Sequence, residues 1–329
     1  MDHYHIYHED VPDFIRETSE TEIMNRLKDV GMNCGCEYTS YPRFSHLQSY
    51  SRHDHSIGAA LIVYHFTKDI RQSTAALLHD IATPAFAHVV DFLKGDYLKQ
   101  EATEEGTRRI IEESEELQKI LNRYGIKAED VYDYHRYPIA DNDPPKLSSD
   151  RLEYSLGNII NYEILSEEEV KMIYDDLRVG NNEEGEEEIV FQNEETALLF
   201  GKAALECSKI YVADEDRYAM QSLSEVLKYA IEKGVLSEED LYSTEGAAIE
   251  KLLSDPETNE KWINFTKESV ILRSDEERNE GKWRKIFAKK RYIDPFILNE
   301  GRLTHLYPGF RKELDEFIKQ SQDYWICSG

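Results

Sequence analysis

The stretch Ala75-Ala76-Leu77-Leu78-His79-Asp80-Ile81 decides how the rest of the chain is read. A small apolar run ends in an adjacent imidazole and carboxylate, so a helix closing there turns both groups towards one point. A His-Asp dipeptide alone says little, because such pairs arise by chance. Two other stretches give it weight. Upstream lies His55, in Ser51-Arg52-His53-Asp54-His55-Ser56-Ile57-Gly58, and downstream lies Asp150, in Ser148-Ser149-Asp150-Arg151-Leu152-Glu153-Tyr154. His55, His79, Asp80 and Asp150 make a mixed nitrogen and oxygen set. Such a set suits one borderline or hard divalent ion, with positions left open for water or a substrate oxygen.

The totals narrow the field. A chain of 329 residues with 40% hydrophobic residues can bury a sizeable core. Its formal net charge of -27 repels nucleic-acid backbones and anionic membranes, which argues against general DNA, RNA or membrane binding but leaves room for a local basic pocket. No stretch approaches the roughly 20 apolar residues of a membrane span. The start, Met1-Asp2-His3-Tyr4-His5, lacks the basic-then-apolar layout of a signal peptide. Four cysteines in so long a chain make no disulfide framework, and Cys34-Gly35-Cys36 is too tight for a structural zinc pair. The expected compartment is a reducing cytoplasm.

Along the chain, residues 1–20, with His3, His5 and His8, read as a solvated polar arm. Ile23, Leu27 and Val30 share one face of a helix over 22–30 that Gly31 stops. From Asp54 onward Ile57, Ala60, Leu61 and Tyr64 repeat at helical spacing, and Arg52 can share a face with His55. Residues 73–78 form a buried helix ending at His79-Asp80. Thr83-Pro84 opens another, with proline in its first turn, on which His88 and Asp91 face the same way. Asp150, Tyr154 and Asn158 recur every four residues and form one stripe of a further helix. In the second half, 176–179 and 188–191 flank a glycine-containing turn and read as a β-hairpin. Helices are expected over 195–211, 217–233 and 244–253. Residues 282–291 are basic in an acidic chain; they read as a surface strand, or as one bringing Arg284 or Lys289 to a phosphate or a subunit contact.

The order H…HD…D resembles the HD-superfamily metal-dependent phosphohydrolases, most closely their deoxynucleoside triphosphate triphosphohydrolase branch, over roughly residues 22–160. Met24 to Gly31 resembles the segment that precedes the family's first metal histidine. The resemblance implies one divalent ion (Mn, Fe, Ni, Zn and Mg all remain open) on His55, His79, Asp80 and Asp150. It implies Arg52 as a phosphate clamp, for which a planar, always-charged fork is suited, and Arg151, Tyr154 and Asn158 as contacts to phosphate, sugar and ribose hydroxyl. Thr83-Pro84-Ala85-Phe86-Ala87-His88 resembles a family motif with histidine at both ends, which retains His88 and Asp91 as catalytic groups. Thr83 and Thr103 stand where the family has imidazoles, and threonine cannot shuttle a proton near pH 7. His88 or His135 then takes that role. His46 or His53 could add a second metal, but one ion is the better fit.

The resulting expectation is a mainly α protein. Residues 1–165 form an HD-type helical bundle that carries the catalytic core, and 166–329 a mostly helical accessory region with a few short strands. The expected function is metal-dependent hydrolysis of a nucleotide phosphoester or phosphoanhydride by an activated water. The alternative is a catalytically weakened protein that binds or senses nucleotides. A homo-oligomer is implied by the family alone.

Overall fold

The computed structural model describes residues 4–94 and 106–329. Gly95 to Glu105, and with them Thr103, lie outside the described residues, as does His3. The chain begins with α1 (Tyr4–Tyr7), α2 (Asp13–Ser19) and α3 (Glu22–Asn25), which continues as a 3₁₀ stretch over Arg26–Asp29. Then come α4 (Arg52–Thr67), α5 (Ile70–Leu78), α6 (Val89–Lys94), α7 (Thr107–Glu113), α8 (Glu115–Arg123), α9 (Ser149–Asn161) and α10 (Glu167–Asp175). The second half adds α11 (Glu194–Ile210), α12 (Asp214–Glu232), α13 (Glu245–Ser254), α14 (Pro256–Thr266), α15 (Leu303–Leu306) and α16 (Pro308–Lys319). The protein is mainly α, with a few short strands.

α4 is the centre of the molecule. Ser51 caps it in a reciprocal box: its hydroxyl accepts from the Asp54 N–H at 3.1 Å, and the Asp54 carboxylate accepts from the Ser51 N–H at 3.1 Å. Lys68, in the left-handed region, ends the helix. Residues from Arg52 through Val63 are almost all buried, as expected of a helix walled in on every side. Its neighbours are α5, α9, α1 and α2. Asp69 caps α5, and Ser148 caps α9 by accepting from the Arg151 N–H at 3.4 Å. These caps fix where His79-Asp80 and Asp150 emerge.

β1 (Leu177–Asn181) and β2 (Glu187–Phe191) form the expected hairpin, with Leu177 opposite Phe191. β2 also pairs in parallel with a two-residue strand at Phe296–Ile297. The strands at Ile271–Ser274 and Trp325–Ser328 make a separate antiparallel pair. Two large apolar cores result, beside a small cluster of Ala59, Val63, Ala76 and Ala140. The larger joins α4, α5 and α9 to α10, α11 and α16, through residues such as Leu61, Leu78, Leu156, Ile173, Phe200 and Leu314. The second joins Cys34, Phe44 and Phe86 to α12, α13 and α14. Each large side chain buried there contributes about 1.5–3 kcal/mol.

Four local expectations need correction. The N-terminal segment is not a solvated arm: Ile6, Tyr7, Phe14 and Ile15 are buried against α4 and its neighbours. The helix expected over 22–30 tightens at Arg26, whose guanidinium donates to the carbonyls of Ile81, Thr83 and Ser243 at 2.9–3.1 Å. Pro84 opens no helix. Phe86 and Ala87 take positive φ values of 62° and 46°, and α6 begins only at Val89. Tertiary hydrogen bonds, from the Ala85 N–H to the Leu241 carbonyl and from the Phe86 N–H to Glu245, outweigh the local proline signal. Residues 282–291 are irregular apart from a single bridge between Arg284 and Ile326.

Candidate metal centre

Three elements bring the expected ligands together. α4 presents His55 from its first turn, the end of α5 presents His79 and Asp80, and the first turn of α9 presents Asp150. His55, His79 and Asp80 each offer an atom within 4.8 Å of the others and are buried. The two imidazole Nε2 atoms stand 3.2 Å apart. Asp80 Oδ2 lies 3.4 Å from His79 Nε2 and 3.9 Å from His55 Nε2. Asp150 Oδ1 lies 3.0 Å from His55 Nε2 and 3.6 Å from His79 Nε2.

The outer nitrogens of both rings are already committed. His79 Nδ1 faces the Ala76 carbonyl at 2.7 Å, and a carbonyl can only accept, so Nδ1 carries the proton. His55 Nδ1 faces Glu153 Oε2 at 2.5 Å. Both Nε2 lone pairs therefore point inward, at each other and at two carboxylates. Four acceptors cannot crowd in this way without a cation among them. A proton can serve: burial disfavours charge on His55, but hydrogen bonds to Asp150 and Glu153 outweigh it and push its pKa up to about 10. A divalent ion serves better, since metal–nitrogen and metal–oxygen bonds of roughly 2.0–2.2 Å suit donors this close. The residues present fit such an ion.

Glu153 is the main residue that sequence reading missed. It is 1% exposed and accepts from His55, from the Tyr50 hydroxyl and, at 3.4 Å, from the Tyr7 hydroxyl. A carboxylate behind a metal-binding imidazole fixes the tautomer and makes the ring a stronger donor. Two glycines open the space. A Cβ on Gly58 of α4 would come within 2.8 Å of Glu153, and one on Gly157 of α9 within 2.8 Å of the Tyr50 ring. The signal was present: Glu153 lies one helical turn beyond Asp150, on the same face.

Asp80 is held from behind as well. The Thr83 hydroxyl donates to its Oδ1 at 2.6 Å, and Arg52 Nη1 to its Oδ2 at 3.0 Å. Burial alone would raise the Asp80 pKa; Arg52, His79 and His55 instead hold it well below the usual carboxylate range. Arg52 is itself buried, and its Nε has no hydrogen-bond partner among the described residues. Arg52 also lines the cavity beside the cluster, where a guanidinium charge is suited to an anionic oxygen.

A cavity of about 580 Å³ opens over the cluster. His88 lines it, with Nδ1 on Asp91 Oδ2 at 2.9 Å. Burial lowers the His88 pKa; Asp91 opposes this, while Arg291 and Arg52 reinforce it. His135 stands at the rim, half exposed, with Nδ1 on Asp141 Oδ2 at 2.8 Å. Tyr134 lies against both the His135 and His79 rings. Tyr154 lines the wall between His55 and Tyr211, and Asn158 donates to the Tyr211 hydroxyl at 2.8 Å. Arg151 also lines the cavity, but its guanidinium is taken up by Asp141, Asn142 and the Lys146 carbonyl. The second half supplies Lys289 and Arg291 to the same cavity, whereas Arg284 is bound to Glu225. His53 faces the Ser19 carbonyl at 2.9 Å, and His46 lines a different cavity. Neither belongs to the cluster. No helix among the described residues is long and apolar enough to cross a membrane.

No family model matches the chain. It is 28% identical over 197 residues to the uncharacterized protein YdhJ of Bacillus subtilis, covering 59% of this chain and 58% of that protein. It is 27% identical over 128 residues to a protein of Cordyceps militaris named metal-dependent phosphohydrolase cns2, covering 39% of this chain and 36% of that protein. The matches thus span a little over half of the first relative's length and about a third of the second's, and the His/Asp cluster that could hold a metal fits the name that the second relative carries.

Proposed function

We propose that this protein is a metal-dependent phosphohydrolase of the HD superfamily that cleaves a phosphoester or phosphoanhydride of a nucleotide. The observation that carries this reading is the convergence of two inward-facing imidazole lone pairs with Asp80 and Asp150, each imidazole fixed from behind by a proton acceptor. His55, His79, Asp80 and Asp150 would hold one divalent ion. Such an ion, when bound, supplies Lewis acidity to a phosphoryl oxygen and lowers the pKa of a water to near neutrality.

The chain's own groups would do the rest. Arg52, Lys289 and Arg291 line the cavity and would bring positive charge to a bound phosphate. Arg151, engaged by the 141–146 loop, contributes charge and holds that loop in place. His88, kept neutral by burial and oriented by Asp91, is suited to accept a proton and return it. His135, paired with Asp141, offers a second proton-carrying group at the mouth. Tyr154 and Asn158 form a wall against which a sugar can pack. A nucleotide suits the cavity's volume and its aromatic lining.

The test is release of phosphate, pyrophosphate or triphosphate from a panel of nucleoside mono-, di- and triphosphates with added manganese, comparing wild type with Asp80→Ala. Turnover that Asp80→Ala abolishes supports the reading and identifies the leaving group. Thr83 favours a second reading, a nucleotide sensor with the same metal cage. Its hydroxyl is spent on Asp80 Oδ1 and cannot also serve a leaving group. Bound metal and bound nucleotide without turnover would carry that reading instead.

A further inference from the structure

The cavity over the metal cluster carries a run of aromatic side chains. Tyr154 lies against both His55 and Tyr211, with ring centroids 6.5 Å and 6.4 Å away. Tyr162 also lines the cavity, as does the Asp216 carboxylate.

That carboxylate is poorly served by the protein. Asp216 stands in the first turn of α12, where acidic residues are usually solvated and favoured by the helix N-terminus. Here its hydrogen-bond donor is the Cys36 thiol, at 3.7 Å, and a thiol is a weak donor. The nearby cations are committed elsewhere: Arg217 donates to Asp214, to the carbonyls of Val212 and Ile286, and to the Tyr324 hydroxyl. Arg43 lies 3.6 Å from Glu215. Burial accordingly pushes Asp216 up to about 7, with Cys36, Arg217 and Arg43 opposing and Glu215 adding to the shift. A carboxylate lining a cavity without a strong donor of its own is a place for a ligand N–H.

Resting on the phosphohydrolase reading above, we propose that Asp216 is the specificity-determining residue of this cavity: with the phosphate at the metal cluster, its carboxylate accepts a hydrogen bond from the exocyclic amino group of a nucleobase lying along Tyr154, Tyr211 and Tyr162. In its ionised form the carboxylate only accepts, so an amino group is attracted there and a carbonyl oxygen is repelled. The aromatic lining selects a flat ring over an aliphatic amine. A hydrogen bond to a charged acceptor in such a setting is worth roughly 10- to 100-fold in affinity.

The experiment compares an adenine nucleotide with the same nucleotide of unsubstituted purine, which lacks only the amino group, on the manganese-loaded full chain. Wild type and Asp216→Asn are both measured, with p-nitrophenyl phosphate as a substrate that has no base. The expected result is about a tenfold or greater preference of wild type for the adenine nucleotide in kcat/KM, lost in Asp216→Asn, with p-nitrophenyl phosphate turned over equally by both. Equal use of the two purines by wild type overturns the Asp216 assignment and leaves the phosphohydrolase reading intact, without reliance on any variant. Should wild type turn over no phosphate at all, thermal stabilisation by adenosine against purine riboside decides the point. Stabilisation by adenosine alone, lost in Asp216→Asn, keeps Asp216 and discards the hydrolase. Equal stabilisation, or none by either, overturns Asp216 as well.

Discussion

Glu153 on one side, and Glu245 with Glu37 on the other, are inward-facing acids that are held to different degrees. On the α4–α9 side, Glu153 is met by donors: the His55 ring and the hydroxyls of Tyr50 and Tyr7. On the other side Glu245 is also met by donors, the N–H groups of Gly31 and Phe86 and the Tyr38 hydroxyl. Its neighbour Glu37 is met less fully: backbone N–H groups at Gly35 and Glu37 reach its carboxylate, but Oε2 is buried with no partner among the described residues. Burial first, and then the Glu245 charge, push Glu37 up to about 8. Burying a carboxylate is costly unless donors replace its water. The Glu153 side uses those donors to orient a candidate metal ligand. On the Glu37–Glu245 side, burial and like charge raise the Glu37 pKa, and Glu245 fixes the Phe86 turn ahead of His88.

The largest effect that separates the two sides is expected from Glu153→Gln. His55 loses the charged acceptor behind its Nδ1 and keeps at most a neutral amide oxygen, and metal affinity should fall about 10- to 100-fold, read by competition with a chelator. Loss of less than about twofold would remove Glu153 from the metal account. Next is Gly58→Ala, where the added methyl group meets Glu153. Overpacking of this kind costs about 1–3 kcal/mol in denaturant unfolding, and unchanged stability would mean that the Glu153 niche is looser than described.

On the other side, Glu37→Gln should stabilise the protein in alkali. The folded pKa of Glu37 is raised, so its contribution is fully present below the unfolded value near 4.5 and is lost as pH rises through about 8. The variant escapes that loss. Its unfolding midpoint should exceed wild type by about 2 °C at pH 9 and match it at pH 5. An equal offset at both pH values would refute the raised Glu37 pKa. The smallest effect is expected from Tyr50→Phe, which removes one of three donors to Glu153. It should cost about 1 kcal/mol of stability and change metal affinity by less than Glu153→Gln does.

The sequence made some of these residues legible and hid others, for physical reasons. Side chains able to bind a metal are of few types, so His55, His79, Asp80 and Asp150 stand out as candidates from their order, and capped helices bring them together. The helical register of α4 and α9 could likewise be read from spacing. The turn at Phe86 and Ala87 could not, because it is set by Leu241 and Glu245, far away in the chain. Lys289 could be read from the basic run 282–291 as a candidate phosphate contact, whereas Arg291 could not be singled out, because the segment is irregular and carries no periodic pattern. Asp216 is hidden among Asp214, Glu215 and Asp216, which look like ordinary acids at a helix start. Ile6, Tyr7, Phe14 and Ile15 are obscured by the histidines and acids between them.

The most direct test of the central claim is the metal content of the purified full chain. Wild type, Asp80→Ala and Asp150→Ala would be reloaded with manganese, freed of excess ion and measured by mass spectrometry with protein quantified on the same sample. The account predicts about one ion per chain in wild type and a large loss in both variants, since each removes one of four ligands. Wild type without bound metal, or variants that retain as much as wild type, would contradict it.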